Sequence, residues 1–209
     1  MTIGGLQRCS LVDYPGHVAA VIFVQGCNLR CPFCQNAQLV LPERFEPPLD
    51  VEVIFDFLIS RTHVLQGVVV SGGEPLMHDD LPSLLERIRG LGYRVKLDTN
   101  GSLPYRLKSI VNDRLVDFVA MDIKAPPHRY DALAGTTVNT DLIKESIGII
   151  QHSGIQYMFR TTFAKPLLDD DDIRQIRDLL GDDINYRVQP INPSAVWLDP
   201  SKSAMCREN

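Results

Sequence analysis

Three cysteines fall within eight residues, Cys27-Asn-Leu-Arg-Cys31-Pro-Phe-Cys34, spaced CxxxCxxC and introduced by Gly26. A loop of this length can turn three thiols toward one centre, and thiolates select soft metals, chiefly zinc or iron–sulfur clusters. A structural zinc site is normally closed by four protein ligands. No fourth cysteine follows at finger or ribbon spacing, and Cys9 and Cys206 stand alone. His17 or Cys9 could complete a zinc site. The other reading is a 4Fe–4S cluster with three irons held by the protein and one left open. An open iron is the chemically useful feature, because a substrate or cofactor can coordinate there.

Further along lie Ser71-Gly72-Gly73-Glu74-Pro75, Asp98-Thr99-Asn100-Gly101, Asp122-Ile123-Lys124, Arg160 and Gln189-Pro190. Paired glycines either make a plain turn or let the backbone approach a ligand with its N–H and C=O groups. Asn-Gly is a common turn pair. Asp122 can pair with Lys124 or Arg160, and an arginine at a strand end can hold a carboxylate or a peptide backbone. His78 and His128 read as ordinary surface histidines rather than acid–base catalysts. Asp169–Asp172 reads as a helix cap and dipole partner rather than a cation site.

These positions follow short apolar runs that alternate with helix-period segments. The runs at 18–24, 67–71, 93–98, 116–122, 155–162 and 184–189 are continuously apolar, as in parallel strands covered on both faces. Helices are predicted over 51–62, 104–113 and 139–153. Two more carry Leu81, Leu84, Leu85 and Ile88, and Ile173, Ile176, Leu179 and Leu180. Every singled-out group then lies at the carboxyl end of a strand, the end that bears the chemistry of α/β barrels. Six β–α units in 209 residues predict an α/β fold, a partial (β/α)6 TIM-like barrel, because eight units need about 250 residues. The predicted organisation is one domain over 1–209, with an extension at 1–17, a barrel over about 18–190 and a tail at 191–209.

Composition removes other classes. A net charge of −5 with no dense basic run argues against nucleic-acid binding. No apolar run is long enough for a membrane span, and the first residues lack the order of a secretory signal. The expectation is a compact cytoplasmic protein without disulfides.

CxxxCxΦC with aromatic Phe33 resembles the signature of the radical S-adenosylmethionine enzymes, a family of full or partial α/β barrels. The resemblance implies that Cys27, Cys31 and Cys34 hold a 4Fe–4S cluster. Its open iron then binds S-adenosylmethionine, whose reductive cleavage yields methionine and a 5′-deoxyadenosyl radical. GGEP matches the motif for the methionine amino group, which assigns Gly72, Gly73 and Glu74 to the cofactor. Phe33 is the expected partner of adenine. DTNG followed by DxK resembles the glycyl-radical enzyme activases, where Asp98, Thr99 and Asp122 would form a monovalent-cation site beside the cofactor carboxylate. Asn100, Lys124 and Arg160 join the cofactor site on the same resemblance.

The segments Gly4-Gly5-Leu6, Ser10–Gly16 and Phe23–Asn28 resemble the anaerobic ribonucleoside-triphosphate reductase activating proteins. The implied function is generation of a glycyl radical on a partner enzyme, with anaerobic ribonucleotide reductase as that partner. Reduced flavodoxin or ferredoxin is the implied electron donor. The alternatives are a small-molecule radical enzyme of the 7-carboxy-7-deazaguanine synthase kind and a non-enzymatic zinc-bound α/β protein. Beyond residue 165 the resemblance is weak.

Overall fold

A computed structural model describes residues 1–182, 184–192 and 196–204. Each apolar run forms a strand, since β-branched residues fit a pleated surface packed on both sides. The strands are β1 (Ile3–Ser10), β2 (Ala19–Val24), β3 (Gly67–Gly72), β4 (Arg94–Thr99), β5 (Phe118–Asp122), β6 (Gln156–Phe163) and β7 (Tyr186–Pro190). The helices are α1 (Ala37–Val40), α2 (Val51–Ser60), α3 (Leu81–Gly90), α4 (Pro104–Asn112), α5 (Tyr130–Ala134), α6 (Thr140–His152), α7 (Asp170–Leu180) and α8 (Pro200–Ala204). One seven-stranded sheet runs β1 to β7 in sequence order, parallel throughout except for antiparallel β1. The six parallel strands are those the sequence predicts.

Helix starts follow local chemistry. Asp50 and Asn139 accept from the N–H groups of Glu52 and Asp141 to cap α2 and α6. Asp169 and Asp172 form a reciprocal capping box on α7, and Asp172 also pairs with Arg129. The acidic run is therefore cap and ion pair, as its sequence context suggests.

Residues 3–10, expected to lie outside the barrel, are the edge strand of the same sheet. Only Ile3 and Ser10 of this strand are fully buried, so it carries no apolar alternation that could announce it. Downstream of it, Tyr14 is wholly buried and packs edge-on against Phe118.

Strand alternation divides the core in two. Ile22, Val70, Val95 and Leu97 join helix residues such as Leu58, Leu85, Leu107 and Ile147 in the larger cluster. Ala19, Val21, Val69, Phe118, Ala120 and Met158 line the opposite sheet face around Tyr14. Above this second cluster, toward the strand carboxyl ends, the same face turns polar. No helix among the described residues is long and apolar enough to cross a membrane.

Candidate active site

The polar end of the sheet opens into one cavity. Its wall includes Cys27, Cys31, Phe33 and Cys34 from the loop after β2, and Gly72 and Gly73 after β3. Asp98, Thr99, Asn100, Asp122, Lys124 and Arg160 complete its far side. The cavity lining thus gathers the residues assigned to the cluster, the cation or the cofactor, with Glu74 the one exception.

The cysteine loop is held by backbone bonds and by side chains. Cys34 N–H donates to the Cys31 carbonyl at 2.9 Å, and Arg30 N–H donates to Ala134 O at 2.8 Å. The Arg30 guanidinium donates to the carbonyls of Cys27 and Leu29 at 2.6 and 2.8 Å. Asn100 Nδ2 donates to Asn28 Oδ1 at 2.9 Å and lies 4.0 Å from Cys27 Sγ, tying the loop to the end of β4. Burial pushes the Cys31 thiol up to about 12 and raises Cys27 as well. A metal must therefore displace protons from these thiols to bind.

Gly73 explains why two loops can meet. A Cβ there would fall 1.9 Å from the Gly26 carbonyl oxygen, directly before Cys27. Glu74 N–H donates to that same oxygen at 2.8 Å, and Gly73 N–H donates to Val24 O at 2.9 Å. The glycine pair permits loop-to-loop contact as well as lining the cavity.

Glu74 is the assigned residue that does not line the cavity. It is fully buried behind the cavity wall, where it accepts from Leu76 N–H, Thr99 Oγ1 and Asn100 N–H at 3.1, 2.7 and 2.6 Å. Through these bonds the Glu74 side chain braces the 98–101 turn, and it is not among the residues that line the cavity. Burial raises this carboxyl to about 7, against the pull of its donors. The native state keeps the proton up to that pH while the unfolded chain releases it near 4.5. Stability from this group is thus complete below 4.5 and is lost as pH rises through about 7. Glu74→Gln is expected to remove about 3 kcal/mol of that fall, read as the difference between wild-type and variant urea midpoints from pH 4.5 to 8. Parallel profiles would contradict it.

The charged wall is a chain of ion pairs. Asp122 Oδ1 accepts from Arg160 Nε at 2.8 Å, and Oδ2 from Lys124 Nζ at 3.2 Å. Asp98 Oδ2 accepts from Ser71 Oγ at 3.1 Å and pairs with Arg160 at 3.3 Å, while Oδ1 accepts from buried Lys96. Burial would raise Asp122, but Arg160 and Lys124 outweigh it and hold the carboxyl well below the usual range.

Asp98, Thr99 and Asp122, the residues expected at a monovalent cation, all line the cavity. Neighbouring strand side chains alternate in direction, and the Thr99 hydroxyl is engaged apart from the Asp98 carboxylate. That hydroxyl donates to Glu74 and accepts from Gly101 N–H. Both aspartates already hold cations of the protein itself.

Neither candidate for a fourth zinc ligand reaches the thiols. His17 stacks on Tyr14 before β2 begins, and Cys9 is exposed on β1 beside the same end of the sheet. Strand β2 stands between them and Cys27, about 17 Å of extended chain. Cys206 lies outside the described residues. Among those described, no three His, Cys, Asp or Glu side chains converge as a single ion requires. Cys27, Cys31 and Cys34 all line the cavity, and in a polynuclear cluster each thiolate takes a different iron. His78 bonds Gln25 O and His128 sits in a short turn, and neither lines the cavity.

The tail supplies contacts that the sequence reading missed. Trp197 is 2% exposed within the core cluster that contains Cys31 and Phe33. Beside it, Leu198 and Asp199 N–H donate to the carbonyls of Cys34 and Pro32 at 2.8 and 3.0 Å. A lone tryptophan in a polar segment was the available signal.

A family model for the radical SAM superfamily matches residues 21–180. The chain belongs to the radical SAM superfamily. Members of this superfamily carry a 4Fe–4S cluster and use S-adenosylmethionine, and the three thiols lining the cavity are suitable donors for such a cluster.

A Methanocaldococcus jannaschii protein provisionally named a glycyl-radical enzyme activating enzyme is 31% identical, over 99% of this chain and 87% of its own. A 7-carboxy-7-deazaguanine synthase from Methanopyrus kandleri is 35% identical over 55% of this chain and 52% of that enzyme. The crystal structure of Streptococcus suis SuiB bound to S-adenosylmethionine aligns with a TM-score of 0.66 at 18% identity, covering 82% of this chain and 40% of SuiB. The radical SAM chain spans about half of the synthase and less than half of SuiB. The structural likeness shows the partial-barrel fold.

Proposed function

We propose that this radical SAM protein is a glycyl-radical enzyme activase, with an anaerobic ribonucleotide reductase as its partner. The observation that carries the reading is the end-to-end similarity to the archaeal protein of that provisional name, over 99% of this chain. Similarity to the deazaguanine synthase stops at about half the chain, 55%.

In this reading Cys27, Cys31 and Cys34 each hold one iron and leave a fourth for S-adenosylmethionine. Backbone groups of Gly72 and Gly73 face the amino end of that cofactor. Arg160 and Lys124 meet its carboxylate as charge-assisted donors. Phe33, with Leu29 and Val40, gives the cavity an apolar side suited to adenine and poor in water. Asn100 holds Asn28 and the cysteine loop in register, and Glu74 braces Asn100 from behind. Bound together, cluster and cofactor supply a one-electron cleavage that ends in hydrogen-atom abstraction. That abstraction calls for no side-chain acid or base, so the chain's work is to position the reactants and exclude other donors. A reduced flavodoxin or ferredoxin is the proposed electron source.

The test incubates reduced, cluster-loaded protein with S-adenosylmethionine and anaerobic ribonucleotide reductase under argon. Electron paramagnetic resonance is expected to show a glycyl doublet that vanishes when the target glycine is replaced by alanine. Cofactor cleavage without a doublet on this reductase, or on any other glycyl-radical enzyme offered, would overturn the proposal. Turnover of a small charged heterocycle in its place would favour the synthase-like alternative.

A further inference from the structure

Lys96 is 2% exposed and sits two residues before Asp98 on β4, so both side chains project from the same sheet face. Its cross-strand row is Val21, Val69, Phe118 and Gln156, largely apolar neighbours for an ammonium group. A buried lysine in such a setting must be paired, and its partner is Asp98 Oδ1. The Phe118 ring, itself a cation-binding face, lies 6.0 Å from Nζ.

We propose that the Lys96 ammonium is the site's built-in monovalent cation, occupying the underside of Asp98 where a potassium or sodium ion would otherwise bind. This rests on the cofactor placement given under Proposed function. An ammonium group carries the charge of potassium and resembles it in size. A metal ion would need several free oxygen ligands on one side. Here Asp98 Oδ1 is taken by Lys96, and Oδ2 by Ser71 and Arg160. Asp122 is shared between Arg160 and Lys124, and the Thr99 hydroxyl is turned toward Glu74. A metal binding at Asp98 Oδ1 would compete with the ammonium, whose displacement would leave it in apolar surroundings. Lys96 acts through Asp98, holding that carboxylate so that Arg160 stays turned to the ligand carboxylate. It is a positioning residue rather than a catalytic one.

The experiment measures S-adenosylmethionine affinity calorimetrically on the reconstituted protein, without any partner enzyme. Potassium, sodium, lithium or tetramethylammonium serves as the sole added monovalent cation. Wild-type affinity is expected to be the same in all four. Lys96→Met is expected to bind about tenfold more weakly in tetramethylammonium and to recover most of that loss in potassium. A tenfold loss for wild type on exchanging potassium for tetramethylammonium would overturn the proposal, whether or not the variant folds. So would a folded, cluster-bearing Lys96→Met that binds as wild type in tetramethylammonium. Failure of the activase reading would appear as an absent glycyl doublet and leave these affinities unchanged.

Discussion

Cys31→Ala is expected to leave the chain colourless after anaerobic iron and sulfide reconstitution and to reduce S-adenosylmethionine cleavage to background. Cys31 is the most buried of the three thiols, at 6% exposure, and lies between Cys27 and Cys34 in the loop. No other cysteine or histidine among the described residues lines the cavity, so nothing is placed to replace it. A cluster left with two ligands loses iron. The measurement is the broad iron–sulfur absorption at about 400 nm together with the iron content. A variant that keeps the band and the cleavage activity would show that Cys31 is not a ligand. The variant should still fold, because the smaller alanine remains compatible with the apolar neighbours Phe33 and Trp197.

Gly73→Ala is the second large effect, and it arises through geometry alone. The added methyl would sit 1.9 Å from the Gly26 carbonyl oxygen, far inside van der Waals contact, and the obstacle is backbone rather than a movable side chain. The loop after β3 must then separate from the cysteine loop, breaking the bond from Glu74 N–H to Gly26 O. Overpacking of this kind costs about 1–3 kcal/mol, which lowers the melting temperature by several degrees. The effect on function is expected to exceed the effect on stability. S-adenosylmethionine affinity should fall about a hundredfold, since both walls of its cavity shift while the barrel persists. Circular dichroism and calorimetric binding on the same sample separate the two. Unchanged affinity would remove this approach from the site.

Much of the cavity could be read from the residues alone because a parallel sheet gathers strand ends. Once the runs at 18–24, 67–71, 93–98, 116–122 and 155–162 are strands, the cysteines, Gly72, Asp98, Asp122 and Arg160 must meet at one edge. What escaped that reasoning depends on contacts between distant segments. The edge strand β1 has no apolar alternation, and its pairing with β2 rests on backbone bonds that composition does not reveal. Glu74 belongs to a motif whose neighbours face the cavity, yet its own direction is decided by the Thr99 and Asn100 donors behind it. Trp197 is near Cys34 only after the chain has crossed the sheet.

Lys96 marks a different limit. Period-two alternation was enough to place it on the same face as Asp98, but Val95, Leu97 and its own apolar row made the strand read as plain core. The same alternation gives the Asp98 and Thr99 side chains different partners, Lys96 for Asp98 and Glu74 for Thr99.

The most direct measurement is Mössbauer spectroscopy of protein reconstituted with iron-57, recorded with and without S-adenosylmethionine. Three cysteine ligands around an open position predict a cubane in which one iron alone changes its isomer shift when the cofactor is added. Four irons that stay equivalent and indifferent to S-adenosylmethionine, or a site that takes up zinc and no iron, would contradict it.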